Sequence, residues 1–404
     1  MRIRPSLWIV GLALLSIPAH GESPLEPPEL SRFLRWGPVR VRPGFVLSNL
    51  GYEDNVFCRS NGELSTRPRV GDTTITLSPR LEGVLLLGSY AFTTFTERLD
   101  YTAYQHQSQL NYFNQFGSLR TTFPFRRMGL FVEGDFNRTK DRPLDQQDIR
   151  NQQTERRLGA GFVFLAGWRT EVEIENVASG WSNRDPDGGS LADRLDRKER
   201  GNRARLGYLA FGRTKLTIET SRKTITFDDP SLNRNSRERR LLPGIEFTKG
   251  GRLTGVLRAG RARLTFDSGT APDYSGTIGE ASLAYRIGGG TTLRVGGRRQ
   301  VAFAVYEANQ YYLDSATEVS VVHYINRVFG LEAGGSWGTL AFSDGVRRDR
   351  ITRYDGGVRV RLAENALGRR VEYTLKFAQT RRDSTIPGLD QSRGIFGFGA
   401  VLGY

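Results

Sequence analysis

The chain has 404 residues, with 58 Lys and Arg against 43 Asp and Glu for a formal net charge of +15. Hydrophobic residues make up only 38%, and mean hydropathy is negative. That composition excludes a bundle of transmembrane helices, because no stretch beyond the amino terminus approaches the ~20 apolar residues that a spanning helix needs. The single cysteine, Cys58, excludes an intramolecular disulfide framework and a cysteine-based metal cluster.

Arg2 and Arg4, the apolar run Leu7 to Ile17 and the small-x-small site Ala19-His20-Gly21 spell a secretory signal peptide over 1–21, cleaved after Gly21. Its removal takes two arginines and leaves +13 from +15. Residues 22–38, with Pro24, Pro27, Pro28 and Pro38, read as a short periplasmic lead, and residues 39–404 as one domain.

From about residue 72 onward one unit repeats, a short turn, an alternating run, a long polar loop and another alternating run, and this period of two predicts β-strands throughout. Met128, Leu130, Val132 and Phe136 share one face; so do Leu158, Phe162 and Phe164, then Leu206 and Tyr208, Leu241 and Ile245, Tyr354, Val358 and Val360, and Tyr373, Leu375 and Phe377. Short turns fall at 124–127, 166–167, 212–213, 249–252, 288–290, 326–327 and 364–368. Longer polar loops fall between them at 140–153, 182–199, 226–237, 267–275, 342–350 and 382–392. Alternating short and long connections are the signature of a transmembrane antiparallel up-and-down β-barrel of an outer membrane, with tight periplasmic turns and long external loops.

Both chain ends then lie on the periplasmic side, so the strand number is even. The pattern gives about eighteen strands starting near Val39, with about sixteen as the alternative because the pairing before residue 110 is ambiguous. Phe125, Trp168, Phe247, Tyr285, Phe329 and Tyr404 lie beside the short turns, as an interfacial aromatic girdle requires. Trp181 breaks the rule by taking lumen parity. The last strand ends in Phe396, Phe398, Leu402 and Tyr404, all of one parity, and closure requires it to pair with the first strand. Pro43, Pro79 and Pro243 fall inside predicted strands, where a missing donor is tolerated at edges or bulges.

If one parity faces lipid, the other faces the lumen. Arg203, Arg205, Arg258, Arg294, Arg298, Arg353, Arg359 and Arg361 take the inward parity, with Glu133, Asp135, Glu171, Glu173 and Glu175 as counter-charges. Read this way the wall is mixed but positive, which would draw anions into a pore. Ladders of Arg and Glu can equally serve only to stiffen the wall. Basic loops are also placed to meet lipopolysaccharide phosphates. Nucleic acid fits neither the compartment nor the spread of charge.

Catalysis lacks parts. His20 leaves with the signal peptide, His106 sits in a tight loop and His323 lies near a periplasmic turn. None shows a readable spacing to a carboxylate or serine. Asp185-Pro-Asp-Gly-Gly189 lacks the further ligands of a calcium loop. No metal, no cofactor and no enzymatic activity are expected.

The first strands carry two motifs: Gly51, Tyr52, Asp54, Asn55 and Phe57, then Ser78, Pro79 and Leu81. They resemble the amino-terminal signature of the putative β-barrel porin 2 family, in particular its exopolysaccharide-operon members. The resemblance implies an outer-membrane barrel of a Gram-negative bacterium that exports or assembles an extracellular polysaccharide. It also implies outer-membrane lipids, the barrel-assembly machinery and polysaccharide-export components as partners. A general porin and a non-conducting barrel that partners a secretion system are the alternatives. The oligomeric state and the transported molecule are not encoded in any readable motif.

Overall fold

The computed structural model describes residues 24–31, 33–60, 68–140, 152–184, 193–247, 251–269, 271–305, 309–362 and 370–403. The signal segment 1–21, most of the 140–153 loop, the 185–189 loop, the 364–368 turn and Tyr404 lie outside these residues. Within them the chain forms β1 (Leu34–Trp36), β2 (Val39–Glu53), β3 (Asp72–Leu87), β4 (Ala91–Tyr104), β5 (Tyr112–Pro124), β6 (Met128–Thr139), β7 (Gln152–Ala166), β8 (Thr170–Arg184), β9 (Arg197–Phe211) and β10 (Thr214–Phe227). It continues with β11 (Ser236–Phe247), β12 (Leu253–Phe266), β13 (Tyr274–Ile287), β14 (Thr291–Phe303), β15 (Tyr311–Tyr324), β16 (Phe329–Phe342), β17 (Arg348–Arg361), β18 (Arg370–Ser384) and β19 (Gln391–Gly403).

Each of β2 to β19 pairs antiparallel with its sequence neighbours, and β19 returns to β2 from Ile395↔Glu53 to Gly403↔Gly44. The result is a closed barrel of eighteen strands, not sixteen. Closure leaves no edge across the wall, which a lipid environment demands of a sheet. The remaining short strand β1 pairs only with the start of β2, Leu34↔Val41 to Trp36↔Val39. It covers the stretch of β2 that lies beyond the end of β19.

The two parities part as the side chains require. Leu130, Val132, Leu158, Leu206, Ile218, Leu241, Tyr354, Leu375 and Phe396 are exposed, while Phe131, Val163, Leu242, Glu175 and Arg258 between them are buried. Phe125, Trp168, Tyr285 and Phe329 are exposed beside the short turns. Turns there are tight enough to need left-handed backbone: Gly167 has φ 72° and Gly212 has φ 44°, conformations open to glycine at no steric cost.

Two irregularities escaped the period-two reading. Asn49 adopts φ 53° and the register shifts between Ser48 and Gly51, so one extra residue is inserted into β2. This bulge keeps Phe45, Leu50 and Tyr52 all exposed although their numbers differ in parity. The prolines sit inside strands as read; the ladder is interrupted at Pro79 between β3 and β4 and at Pro243 between β11 and β12. The lead does not simply hang outside. Leu25 is buried against the inward-facing Phe131 and Val163, with Leu165 beside them, so the lead turns into the periplasmic mouth.

Candidate functional site

The interior of the barrel is the site with chemistry, and its wall is built of ion pairs. Across β6 to β10, Arg157 meets Glu133 at 2.6 Å, Asp135 at 2.8 Å and Glu175 at 2.5 Å. Arg203 meets Glu173 at 2.7 Å and Glu175 at 2.9 Å. Lys215 meets Glu171 at 2.8 Å. Gly159 makes room for this cluster, since a Cβ there would collide with Glu175 Oε1.

A second cluster spans β9 to β13. Arg205 meets Glu246 at 2.5 Å, and Arg258 reaches Glu246 at 2.6 Å and Glu280 at 2.9 Å. Arg298 meets Asp314 at 2.7 Å on β14 and β15. On β16 to β18, Arg359 bridges Glu332 and Glu372, Arg361 joins Glu372 at 3.1 Å, and Arg353 lies 3.5 Å from Asp355. Arg294 takes the same parity and is exposed.

All eight sequence-predicted arginines therefore face the interior, and so do the five acidic residues. Arg203, Arg205, Arg258, Arg298, Arg353, Arg359 and Arg361 are drawn against carboxylates. The inner wall offers acidic groups nearly as often as basic ones. Its sign is closer to balance than the arginines alone suggest, because Glu246, Glu280, Asp314, Asp355, Glu332 and Glu372 share their face.

Apolar groups narrow the external mouth. The β13–β14 ladder stops at Gly279↔Arg299, whereas β14 stays paired with β15 as far as Phe303↔Tyr311. Beyond that split the hairpin leaves the wall. Val301, Phe303, Tyr311 and Leu313, which share parity with the outward Val295 and Val321, pack against Ile225, Phe227, Leu242, Leu264, Phe266 and Tyr274 on the inner face of β10 to β13. Phe303 and Phe227 have ring centroids 5.0 Å apart. Their strands are four places apart, about 19 Å along a flat wall at ~4.8 Å per strand, so the contact crosses the interior. Arg197 lies over both Phe303 and Trp181, which explains why Trp181 takes lumen parity.

Polar contacts fasten the hairpin. Arg234, buried in the β10–β11 connection, donates to the Ala304 carbonyl at 2.7 Å and to Gln310 Oε1 at 2.8 Å. Asn309 donates to Asp344 at 2.9 Å. Desolvation alone would raise the Asp344 carboxyl, but bonds from Asn309 and from the Arg347 and Val346 amides outweigh it and hold the group below the usual carboxylate range.

The family-signature residues take structural posts. Asp54 accepts from the Gly394 amide at 2.7 Å, and its own amide donates to the Gly394 carbonyl at 3.1 Å. Fully buried Asn55 donates to the Ser392 and Arg59 carbonyls, each at 3.0 Å. Together they fasten the external end of the β2–β19 seam. Gly51 is packed so closely on β19 that a Cβ would collide with the Phe396 carbonyl. Tyr52 and Leu81 point outward, Ser78 inward, Pro79 marks the ladder gap, and Phe57 lies under Arg59. Phe396 and Leu402 are exposed on the closing strand, and Phe398 stacks on Tyr373. His106 does meet a carboxylate: its Nδ1 lies 2.9 Å from Asp72. That carboxylate also accepts from the Thr73, His106 and Gln107 amides, so the pair staples a loop, and the separation in sequence hid it.

A closed eighteen-strand barrel with an apolar outer face, an aromatic rim and a charged interior defines a porin-type protein of the outer membrane. A family model described as "Putative beta-barrel porin 2" matches residues 187–403, more than half of the chain, and the chain belongs to that family. The match lies downstream of the amino-terminal motifs that carried the resemblance. Similar solved structures include OccK2 (OpdF) of Pseudomonas aeruginosa, at 11% identity over 90% of this chain and 97% of that one, with a TM-score of 0.50. A BenF-like porin from Pseudomonas fluorescens Pf-5 has 12% identity over 90% and 98%, with a TM-score of 0.49. At such identities the likeness is one of fold. No curated protein matches the chain in sequence.

Proposed function

We propose that the chain is an outer-membrane channel for polar solutes, with a polysaccharide passing outward as the cargo its family resemblance implies. The observation that carries the reading is the inner wall: charged groups of both signs held in fixed pairs, which solvate hydroxyl-rich chains without gripping one charge. Anionic preference, expected from arginine parity, has narrower support, because carboxylates on the same face offset most of those arginines.

The test is conductance of the purified barrel in planar bilayers under a salt gradient. Discrete openings with reversal potentials near zero support the channel and its weak charge preference; strong anion selectivity would overturn the second part. A second reading is a non-conducting partner of a secretion system, and the inward-folded β14–β15 hairpin favours it. Absence of conductance even after the hairpin is released would decide for that reading.

A further inference from the structure

The outward face of β9 to β12 holds arginines of a different kind. Below them the strands are apolar: Leu206, Ile218, Leu241 and Leu257 are exposed toward lipid. Toward the external end the same faces turn to Arg200, Arg222, Arg239, Arg261 and Arg263, all exposed. Arg222 stands directly opposite Arg239, and Arg239 directly opposite Arg263. Arg200 is opposite Thr224 and Arg261 opposite Leu241, one diagonal step from this row.

Side chains directly opposite in an antiparallel sheet have Cβ atoms about 5 Å apart, and like charges placed there repel. Among the described residues, no carboxylate lies within ion-pair distance of these five. Acidic partners appear only at the fringe, Asp228 at 3.5 Å from Lys198 and Asp267 at 3.5 Å from Arg237. The inner wall gives its arginines carboxylates. This patch leaves the neutralising charge to be supplied from outside.

Its height selects the supplier. Arg239 lies eight residues above the rim-side end of β11 at Phe247, a climb of about 20 Å for a strand tilted by about 40°. The apolar band of such barrels is about 25 Å tall, so the row sits near its external edge, where head groups begin. Elsewhere around the barrel, outward positions on the external halves carry Tyr52, Tyr101, Trp337, Tyr354 and Phe396.

We infer that Arg200, Arg222, Arg239, Arg261 and Arg263 form a binding surface for the phosphates of a glycolipid in the outer leaflet. Guanidinium groups bind phosphate in bidentate fashion, and one phosphate between neighbouring arginines turns their repulsion into attraction. The surface thereby fixes a lipid to one arc of the barrel.

The test uses the mature barrel in nonionic detergent, with lipid A bearing both phosphates, its dephosphorylated counterpart and inorganic phosphate as probes. Binding is followed by native mass spectrometry and by the rise in unfolding temperature. The phosphorylated lipid should bind at least ~10-fold more tightly than the dephosphorylated one, and R222Q/R239Q/R263Q should remove most of that difference. R222K/R239K/R263K keeps the charge and should retain part of it, which separates a lost site from a damaged barrel. Equal binding of both lipids, or an unchanged Gln variant, overturns the site. Inorganic phosphate acting as strongly as the lipid would overturn the assignment to lipid.

Discussion

Arginines inside the barrel and arginines outside it obey different rules, although both belong to strands of the same sheet. Arg258 is 5% exposed and lies among Glu219, Glu246 and Glu280. Arg239, on the neighbouring strand and the other face, is exposed and has arginine on both sides. The difference shows where the net positive charge resides. Pairing removes most of it from the lumen, and what remains is displayed on the surface, on this patch near the external interface and on Arg126, Arg127, Arg169, Arg252, Arg286 and Arg327 beside the short turns.

The contrast breaks most visibly in stability. Arg258→Met leaves three carboxylates converging on a vacated cation site and should cost about 3 kcal/mol, the usual scale for removing one partner of a buried ion network. Arg239→Met removes no attraction and should change stability by less than about 0.5 kcal/mol, or raise it slightly in phosphate-free detergent. Urea titration of folded barrels measures both; equal losses would show that the two populations do not differ. At the mouth, Arg234→Ala deletes the donors that hold Ala304 and Gln310. Leaving the buried Ala304 carbonyl unsatisfied costs about 1–3 kcal/mol, so open probability should rise roughly 5-fold or more in bilayers. A variant that conducts no more than the parent would remove the hairpin from any gating role.

Much of this was legible in the sequence, and the remainder was hidden for identifiable reasons. Period-two alternation and alternating loop lengths located the strands, including a first strand at Val39 and its closure with the last. Parity is tightly specified because a one-residue slip would turn Leu130 and Val132 into the lumen and Phe131 and Glu133 toward lipid. The inward parity of Arg258 and Arg359 follows from the same rule. Their pairing does not, because the carboxylates come from neighbouring strands whose register depends on turns and bulges. Asn49 shows the point: one left-handed residue reverses parity within β2 and places Tyr52 outward. The hairpin that narrows the mouth was equally hidden. By parity alone Phe303 and Tyr311 fall on the outward face with Val295 and Val321, and only the end of the β13–β14 ladder at Gly279 shows that they turn inward.

Selectivity sharpens the comparison from within. Replacing Arg294, Arg298, Arg359 and Arg361 by Gln uncovers Asp314, Glu332 and Glu372, so the pore should move toward cations by roughly threefold in permeability ratio, about 0.7 kcal/mol. The outward R222Q/R239Q/R263Q variant should leave the reversal potential unchanged. A shift in the outward variant as large as in the inward one would mean that the charges act at long range and that pairing does not decide selectivity.

The smallest effect belongs to the external loop, where Asp344 ties Asn309 to the β16–β17 connection. Its carboxyl is exposed and titrates below the ordinary value of 3.8: the desolvation it feels is outweighed by Asn309 and the Val346 and Arg347 amides, which donate to the ionised form. The contact is therefore fully present above the ordinary value and is lost as the pH falls through the lowered one. Open probability should stay level at neutral and mildly acidic pH and rise only at the acid end. Asp344→Asn keeps an acceptor for the two amides but cannot ionise, so its profile should lose the acid rise. Parent and variant profiles that coincide would show that the loop's hold on the hairpin does not depend on this charge.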